Sequence, residues 1–217
     1  MKSRRRILAA AAMTLSFLAL VSCGRNEGKI LQEPSQALGT VLGEETVQAA
    51  GGKKTVILIL PQWAANSTAA ESFKSALKKQ GLTVAFSILA DVGSPMGRNG
   101  VGLKSADFFV ALEKGEGAGA IVSLAGPPLL NAQDMTRLNP NHPPILLVAT
   151  QSLGYGPGGS ILGVPADQNY LSGLLDAKIV QLAIVDSGDH SNAEPSGNLD
   201  AAHQSFFQHY SILRNHS

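Results

Sequence analysis

Thr55-Val56-Ile57-Leu58-Ile59-Leu60-Pro61 decides the fold class. A continuous β-branched and aliphatic run, without polar alternation and with a proline stop, is expected of a strand covered on both faces, as in a parallel sheet. Then the period changes. After a polar loop from Gln62 to Asn66, Thr68 and Glu71 stand at capping-box spacing, and Ala69, Phe73, Ala76 and Leu77 mark one side of a helix ending near Gly81. Leu82 to Leu89 reads as a second strand, which completes a βαβ unit.

The alternation continues downstream. Ser105 can cap a helix carrying Phe108, Phe109 and Leu112, Gly119 to Leu124 is a third strand, Asn131 to Leu138 a short helix, and Pro144 to Ala149 a fourth strand. Ser160 to Val164 reads as a short fifth strand. Asp167 can cap a helix through Tyr170, Leu171 and Leu174, weakened by Gly173 at ~1 kcal/mol relative to Ala. Ile179 to Val185 reads as a last strand, although its period also fits a continuing helix. The expected architecture is therefore α/β, a three-layer αβα, Rossmann-like single lobe around a mainly parallel sheet of five or six strands. Asp186 to Asp200 is polar. Ala201 to Leu213 reads as a helix with Phe206, Phe207, Tyr210 and Leu213 on one side, available to its own core or to a partner.

Outward from the strands, the chain begins differently. Lys2, Arg4, Arg5 and Arg6 form a basic start, and Ile7 to Val21 is an uncharged apolar run shorter than the ~20 residues of a spanning helix. Its ending, Leu20-Val21-Ser22-Cys23-Gly24, resembles the lipobox of bacterial lipoproteins, which implies cleavage before Cys23 and acylation of its thiol. Two or more acyl chains hold a protein stably on a bilayer. Cys23 is thus expected to be an anchor, and Gly24 rather than Asp after it implies the outer membrane in enteric-type bacteria. The expected organisation is a signal peptide over 1–22, a lipidated Cys and flexible tether over 23–54, within which Ala37 to Ala49 can form a short helix, an α/β domain over 55–185, and a polar linker with a C-terminal helix over 186–217. As a random coil the tether would span on the order of 30 Å.

With 217 residues, 44% hydrophobic and 15% charged, the chain suits one good core, and its single Cys excludes an internal disulfide framework or a Cys-rich metal site. Of the 17 Lys and Arg four lie in the leader, so 13 remain against 16 Asp and Glu, and the body is weakly acidic. That charge, dispersed, offers no footprint for nucleic acid.

In an open parallel sheet, ligands sit beyond the carboxyl ends of the strands. That rule selects Gln62, Trp63, Asn66 and Ser67 after strand one, Asp91 after strand two, Gly126 and Pro127 after strand three, Gln151 and Tyr155 after strand four, and Asp167 after strand five. Trp63, the single Trp, is either an aromatic plate beside amides and carboxylates, as proteins hold polar rings, or a cover for the end of the core. Asp91 and Asp167 could each bind a hydroxyl or cap a turn or helix.

Other chemistries lack their residues. Pro157 interrupts the G-x-G start at Gly154, and the Gly97 to Gly102 loop lacks the Lys-Ser/Thr ending of a phosphate loop. There is no G-x-S-x-G elbow and no H-E-x-x-H, His203 and His209 fall on different helix faces, and Ser75 with Lys78 is S-x-x-K spacing on an ordinary amphipathic helix. No enzyme, cofactor or metal is expected.

Lys53-Lys54-Thr55-Val56-Ile57-Leu58-Ile59-Leu60, the loop with Asn66-Ser67, Gly119-Ala120-Ile121-Val122, and Gly163-Val164-Pro165-Ala166-Asp167-Gln168-Asn169 with Gly173 together resemble the type I periplasmic-binding family. The resemblance spans roughly Lys53 to Val185. It implies binding of a sugar or similar small polar solute for an ABC permease or sensor, with Trp63, Asn66, Asp167 and Asp91 lining the crevice. Members clamp their ligand between two lobes, whereas this chain supplies one. The competing expectation is a lipid-anchored interaction or structural protein that docks on another envelope protein through the Phe206, Phe207 and Tyr210 helix.

Overall fold

Strand β1, Thr55–Pro61, buries every residue after Thr55. Its side chains part by alternation: Val56, Leu58 and Leu60 enter one core, Ile57 and Ile59 the other. A sheet with two cores needs helices on both faces, and the sequence supplies them in a computed structural model that describes residues 33–93, 102–157, 159–187 and 199–215. The leader, the lipidation candidate Cys23 and most of the Gly97–Gly102 loop lie outside the described residues.

The elements run α1 (Pro34–Ala49), β1, a 3-10 turn (Gln62–Ala64), α2 (Thr68–Lys79), β2 (Thr83–Ala90), β3 (Leu103–Lys104), α3 (Ser105–Lys114), β4 (Ala120–Ser123), β5 (Pro128–Leu129), α4 (Ala132–Thr136), β6 (Ile145–Ala149), β7 (Ser152–Gly156), β8 (Gly159–Leu162), α5 (Gln168–Asp176), β9 (Leu182–Asp186), α6 (Ala201–His209) and β10 (Tyr210–Arg214). The central sheet has the order β2-β1-β4-β6-β9-β10 and is parallel except for β10. Helices α1, α2 and α6 pack on one face and α3 and α5 on the other, which is the three-layer αβα arrangement expected. Among the described residues no helix is long and apolar enough to cross a membrane.

Three expectations need correction. First, the short helix expected over Ala37 to Ala49 is longer and belongs to the body rather than to the tether. It is α1, with Ala37, Leu38, Val41 and Leu42 inside the first core, and each buried Leu alone is worth roughly 1.5–3 kcal/mol. Gly39 and Gly43 explain how closely this helix docks: a Cβ on Gly39 would lie 2.3 Å from the Ala69 carbonyl oxygen, and one on Gly43 2.5 Å from the Ala76 Cβ. Residues that look like linker in sequence here let two backbones approach closely. Second, Ser160 to Val164 is no strand of the main sheet, because β8 turns back on β7 as a separate antiparallel hairpin. Third, the terminal helix stops at His209. Tyr210–Arg214 pairs antiparallel with β9, in the register Tyr210 to Asp186 and Arg214 to Leu182. Phe206 is fully buried and Tyr210 nearly so, which removes the aromatic docking stripe from the surface.

Candidate functional site

The chain goes from β1 to β2 on one side and then crosses to β4 on the other, so the carboxyl ends of β1 and β4 form the switch point where an open α/β sheet leaves a crevice. Trp63 and Asn66 stand in the loop leaving β1. Their loop is short because α2 begins at once: Ser67, not Thr68, is its cap, the Ser67 hydroxyl accepting from the Ala70 N–H at 3.3 Å. Thr68 is thereby released to the hairpin. Its hydroxyl donates to the Tyr155 carbonyl at 2.9 Å and accepts from the Tyr155 N–H at 3.1 Å.

Hairpin β7–β8 is drawn over the crevice by these bonds and by the Trp63 indole N–H, which donates to the Leu162 carbonyl at 3.0 Å. Leu153 of the hairpin is fully buried in the first core and Val164, just beyond it, in the second. The segment therefore straddles the strand ends. Below it, Ser123 donates to the Gly126 carbonyl at 2.8 Å and accepts from the Ala125 N–H at 3.2 Å, closing the turn after β4. Gly126 has φ +74°, and a Cβ there would meet Val164 at 2.7 Å. Gly163 is equally tight, with the Thr150 carbonyl oxygen 2.2 Å from its missing Cβ. The chain thus fills the floor of its own crevice. Hollows at the opposite edge, lined by residues such as Glu45, Gln181 and Arg214 or His142 and Lys178, and between α1 and α2 beside Thr40 and Glu71, include none of the four expected ligand residues.

Those four residues separate into two neighbourhoods. Trp63 and exposed Asn66 share the β1 loop under the hairpin. Asp91, after β2, is ion-paired with Lys104 at 2.8 Å and accepts from the Gly93 N–H at 3.2 Å. The Lys104 hydrogen bond, then the Gly93 amide, hold its carboxyl below the usual carboxylate range. Asp167 caps α5, its carboxylate accepting from the Tyr170 N–H at 3.0 Å. Tyr170 in turn donates to the Pro128 carbonyl at 2.6 Å and accepts from the Leu130 N–H at 3.1 Å, which ties α5 to the loop after β4. Gln151 donates its backbone N–H to Asp186 at 2.8 Å. Asp91 and Asp167 therefore have intramolecular work, and the exposed Tyr155 is the residue the hairpin adds to Trp63.

The electrostatics of this edge are set by composition. Residues 61–70, 117–133 and 149–166 contain no Asp, Glu, Lys or Arg. Trp63 at 37% exposure, Tyr155 at 63% and Leu162 at 53% stand out of a surface otherwise made of amides, hydroxyls and glycines. These loops can stack on apolar C–H faces and exchange neutral hydrogen bonds, and the charges beside them come from neighbouring elements: the Lys74 ammonium donates to the Ala65 carbonyl at 3.1 Å and pairs with Glu71 at 2.9 Å, and Asp186 accepts from the Gln151 N–H. Among the described residues no group of three or more His, Cys, Asp and Glu could hold a metal ion.

No family model matches the chain, and no curated protein matches it. Similar solved structures include an ABC transporter solute-binding protein from Burkholderia graminis C4D1M in complex with D-arabinose, with 16% identity over 71% of this chain and 47% of that one and a TM-score of 0.46. A sugar ABC transporter from Actinomyces odontolyticus ATCC 17982 has 13% identity over 70% and 44%, with a TM-score of 0.41. An ABC transporter substrate-binding protein from Desulfitobacterium hafniense in complex with Leu has 12% identity over 80% and 46%, with a TM-score of 0.38. The chain spans less than half the length of each of these three.

Proposed function

We propose that this chain is a lipid-anchored extracytoplasmic binding protein, held on the bilayer through acylated Cys23, whose surface at the carboxyl ends of β1 and β4 takes a neutral polar solute of the sugar type. The observation that supports this reading is the pair of exposed aromatic side chains, Trp63 and Tyr155, on loops that contain no charged residue of their own. A magnitude narrows it. Stacking on one face of an indole covers about 100 Å², half of what a whole aromatic side chain buries, and is worth roughly 2.5 kcal/mol. Millimolar affinity already requires about 4.1 kcal/mol. The ligand must therefore engage Tyr155 and the hairpin as well as Trp63, which favours a saccharide of more than one ring over a lone monosaccharide.

Trp63 is the single Trp, so its emission reads the site directly. Titration with neutral mono- and oligosaccharides should shift that emission, longer ligands acting at lower concentration. Thermal shift supplies the second readout: a ligand at 100 times its Kd adds about 2.7 kcal/mol. Tyr155→Ala should weaken the response at least tenfold. Silence toward every neutral saccharide in both assays would reject the reading and favour the competing one, a non-receptor envelope protein. In that case Trp63, Tyr155 and Leu162 would be expected to contact a protein partner.

A further inference from the structure

Strand β2 is paired on one side only. Its inner edge lies on β1, and among the described residues no strand pairs with its outer edge. Sheets normally guard such edges with charge, proline, brevity or a bulge. Thr83-Val84-Ala85-Phe86-Ser87-Ile88-Leu89-Ala90 has neither charge nor proline over its eight residues. It has one irregularity, where Ala85 drops out of register with β1, and from Phe86 to Ala90 the pairing with Ile57–Pro61 is unbroken. Five residues of uncharged, regular edge are thus on offer.

That stretch leaves one large side chain uncovered on each face of the sheet, while Ile88 is half-buried against the second core and Ala90 is buried. Phe86, 42% exposed, is in register with Ile57 of the second core, and Leu89, 53% exposed, with Leu60 of the first. The far edge of the sheet differs, since β10 ends in Arg214, which is held by Glu45 at 2.8 and 3.0 Å.

We propose that β2 pairs antiparallel with β2 of a second copy of this chain, about a two-fold axis normal to the sheet, joining two six-stranded sheets into one. The sequence is self-complementary for that contact. Directly opposed residues in an antiparallel pair must share a face, so the axis passes through a residue. Centred on Ile88, it sets Ile88 against Ile88 and, on either side, large against small: Phe86 against Ala90 and Leu89 against Ser87. Centred on Ser87, it would oppose Phe86 to Ile88 and bring the irregular Ala85 against Leu89. Because the strand is uncharged, two-fold symmetry brings no like charges together, and an isologous contact closes at two copies.

Sedimentation of the full chain in a mild detergent, over about 1 to 100 μM, should give a reversible monomer–dimer equilibrium with no larger species, as closure requires. Phe86→Lys and Leu89→Lys, at exposed positions, should each weaken the dimer about tenfold or more, through desolvated ammonium groups, with circular dichroism and melting temperature unchanged at concentrations where the parent is monomeric. In a Cys23→Ser background, Ile88→Cys should cross-link to a covalent dimer on mild oxidation and Phe86→Cys should not, because only the former opposes itself. A monomer at every concentration, an open series of oligomers, or lysine variants that dimerise like the parent would overturn the proposal.

Discussion

The indole N–H of Trp63 and the carbonyl of Leu162, ninety-nine positions apart in the chain, meet at 3.0 Å. Trp63 is therefore both the exposed plate of the candidate site and a clasp on the hairpin beside it. Trp63→Phe keeps an aromatic face and removes the donor, so it should loosen the hairpin while retaining part of the ligand response. Trp63→Ala should remove both. Saccharide affinity by calorimetry and protease sensitivity between β7 and β8 separate the two effects, and full affinity in Trp63→Ala would reject the site.

Thr68 makes the second clasp. Thr68→Val keeps the shape and deletes both hydrogen bonds to Tyr155, at a cost of about 1–3 kcal/mol. Trp63 emission should move toward that of a solvated indole before global unfolding, seen as a separate early transition in urea. A single transition shared with far-ultraviolet circular dichroism would mean that the hairpin is not held this way.

Two glycine substitutions should have opposite signs. Gly39→Ala drives a methyl into the α2 backbone, where nothing can rotate away, and should cost about 1–3 kcal/mol or more. Gly173 lies within α5 with nothing within 4 Å of its missing Cβ, so Gly173→Ala should stabilise by about 0.5–1 kcal/mol. Urea midpoints of the two variants, measured together, check both the α1 docking and the open face of α5.

Asp186 carries a pH signature. Burial raises its carboxyl above the usual carboxylate range, partly offset by the Gln151 N–H. Folding therefore favours the protonated form: its contribution is present below the ordinary carboxylate range and is lost as pH rises through the raised value. Asp186→Asn, which keeps an acceptor, should melt higher than the parent at neutral pH and show no advantage in strong acid. Tyr210 supplies an independent readout. Burial first, then the Asp186 and Glu33 charges, push its phenol up to about 12, and removing the Asp186 charge should lower the alkaline titration of that phenol.

Phe206 is fully enclosed in the first core, against Phe207 and Tyr210. Phe206→Ala should cost about 3–5 kcal/mol in stability, as cavity formation does, whereas a partner-docking residue would lose only binding. Chemical denaturation decides between them.

The parallel strands were legible because burial on both faces leaves an unmistakable mark: β1, β4 and β6 are uninterrupted apolar runs, and any shift of register would still bury them. Helix α1 was legible as a short helix over Ala37 to Ala49, but its docking was not, because that depends on missing side chains at Gly39 and Gly43, which in sequence look like slack. The end of α6 misled for another reason. Phe206, Phe207, Tyr210 and Leu213 keep helical spacing, yet the unpaired edge of β9 offers Tyr210–Arg214 a ladder of hydrogen bonds that spacing cannot register. At the candidate site, topology located the loops, while the partners of Trp63, Asp91 and Asp167 are a distant carbonyl, a lysine thirteen residues on and a helix amide. Tyr155 gained its importance only through the hairpin, whose two strands do not join the sheet.

Glu45 and Arg214 join the first described helix to the last strand, and α6 rests on α1 as well. A polypeptide emerging from the ribosome therefore cannot seal its first core until β10 has been made. If the chain is exported as proposed, such late closure would keep it pliable during transport, with α1, α6 and β10 brought together only afterwards. Removing β10 should accordingly loosen α1 as well as the edge of the sheet.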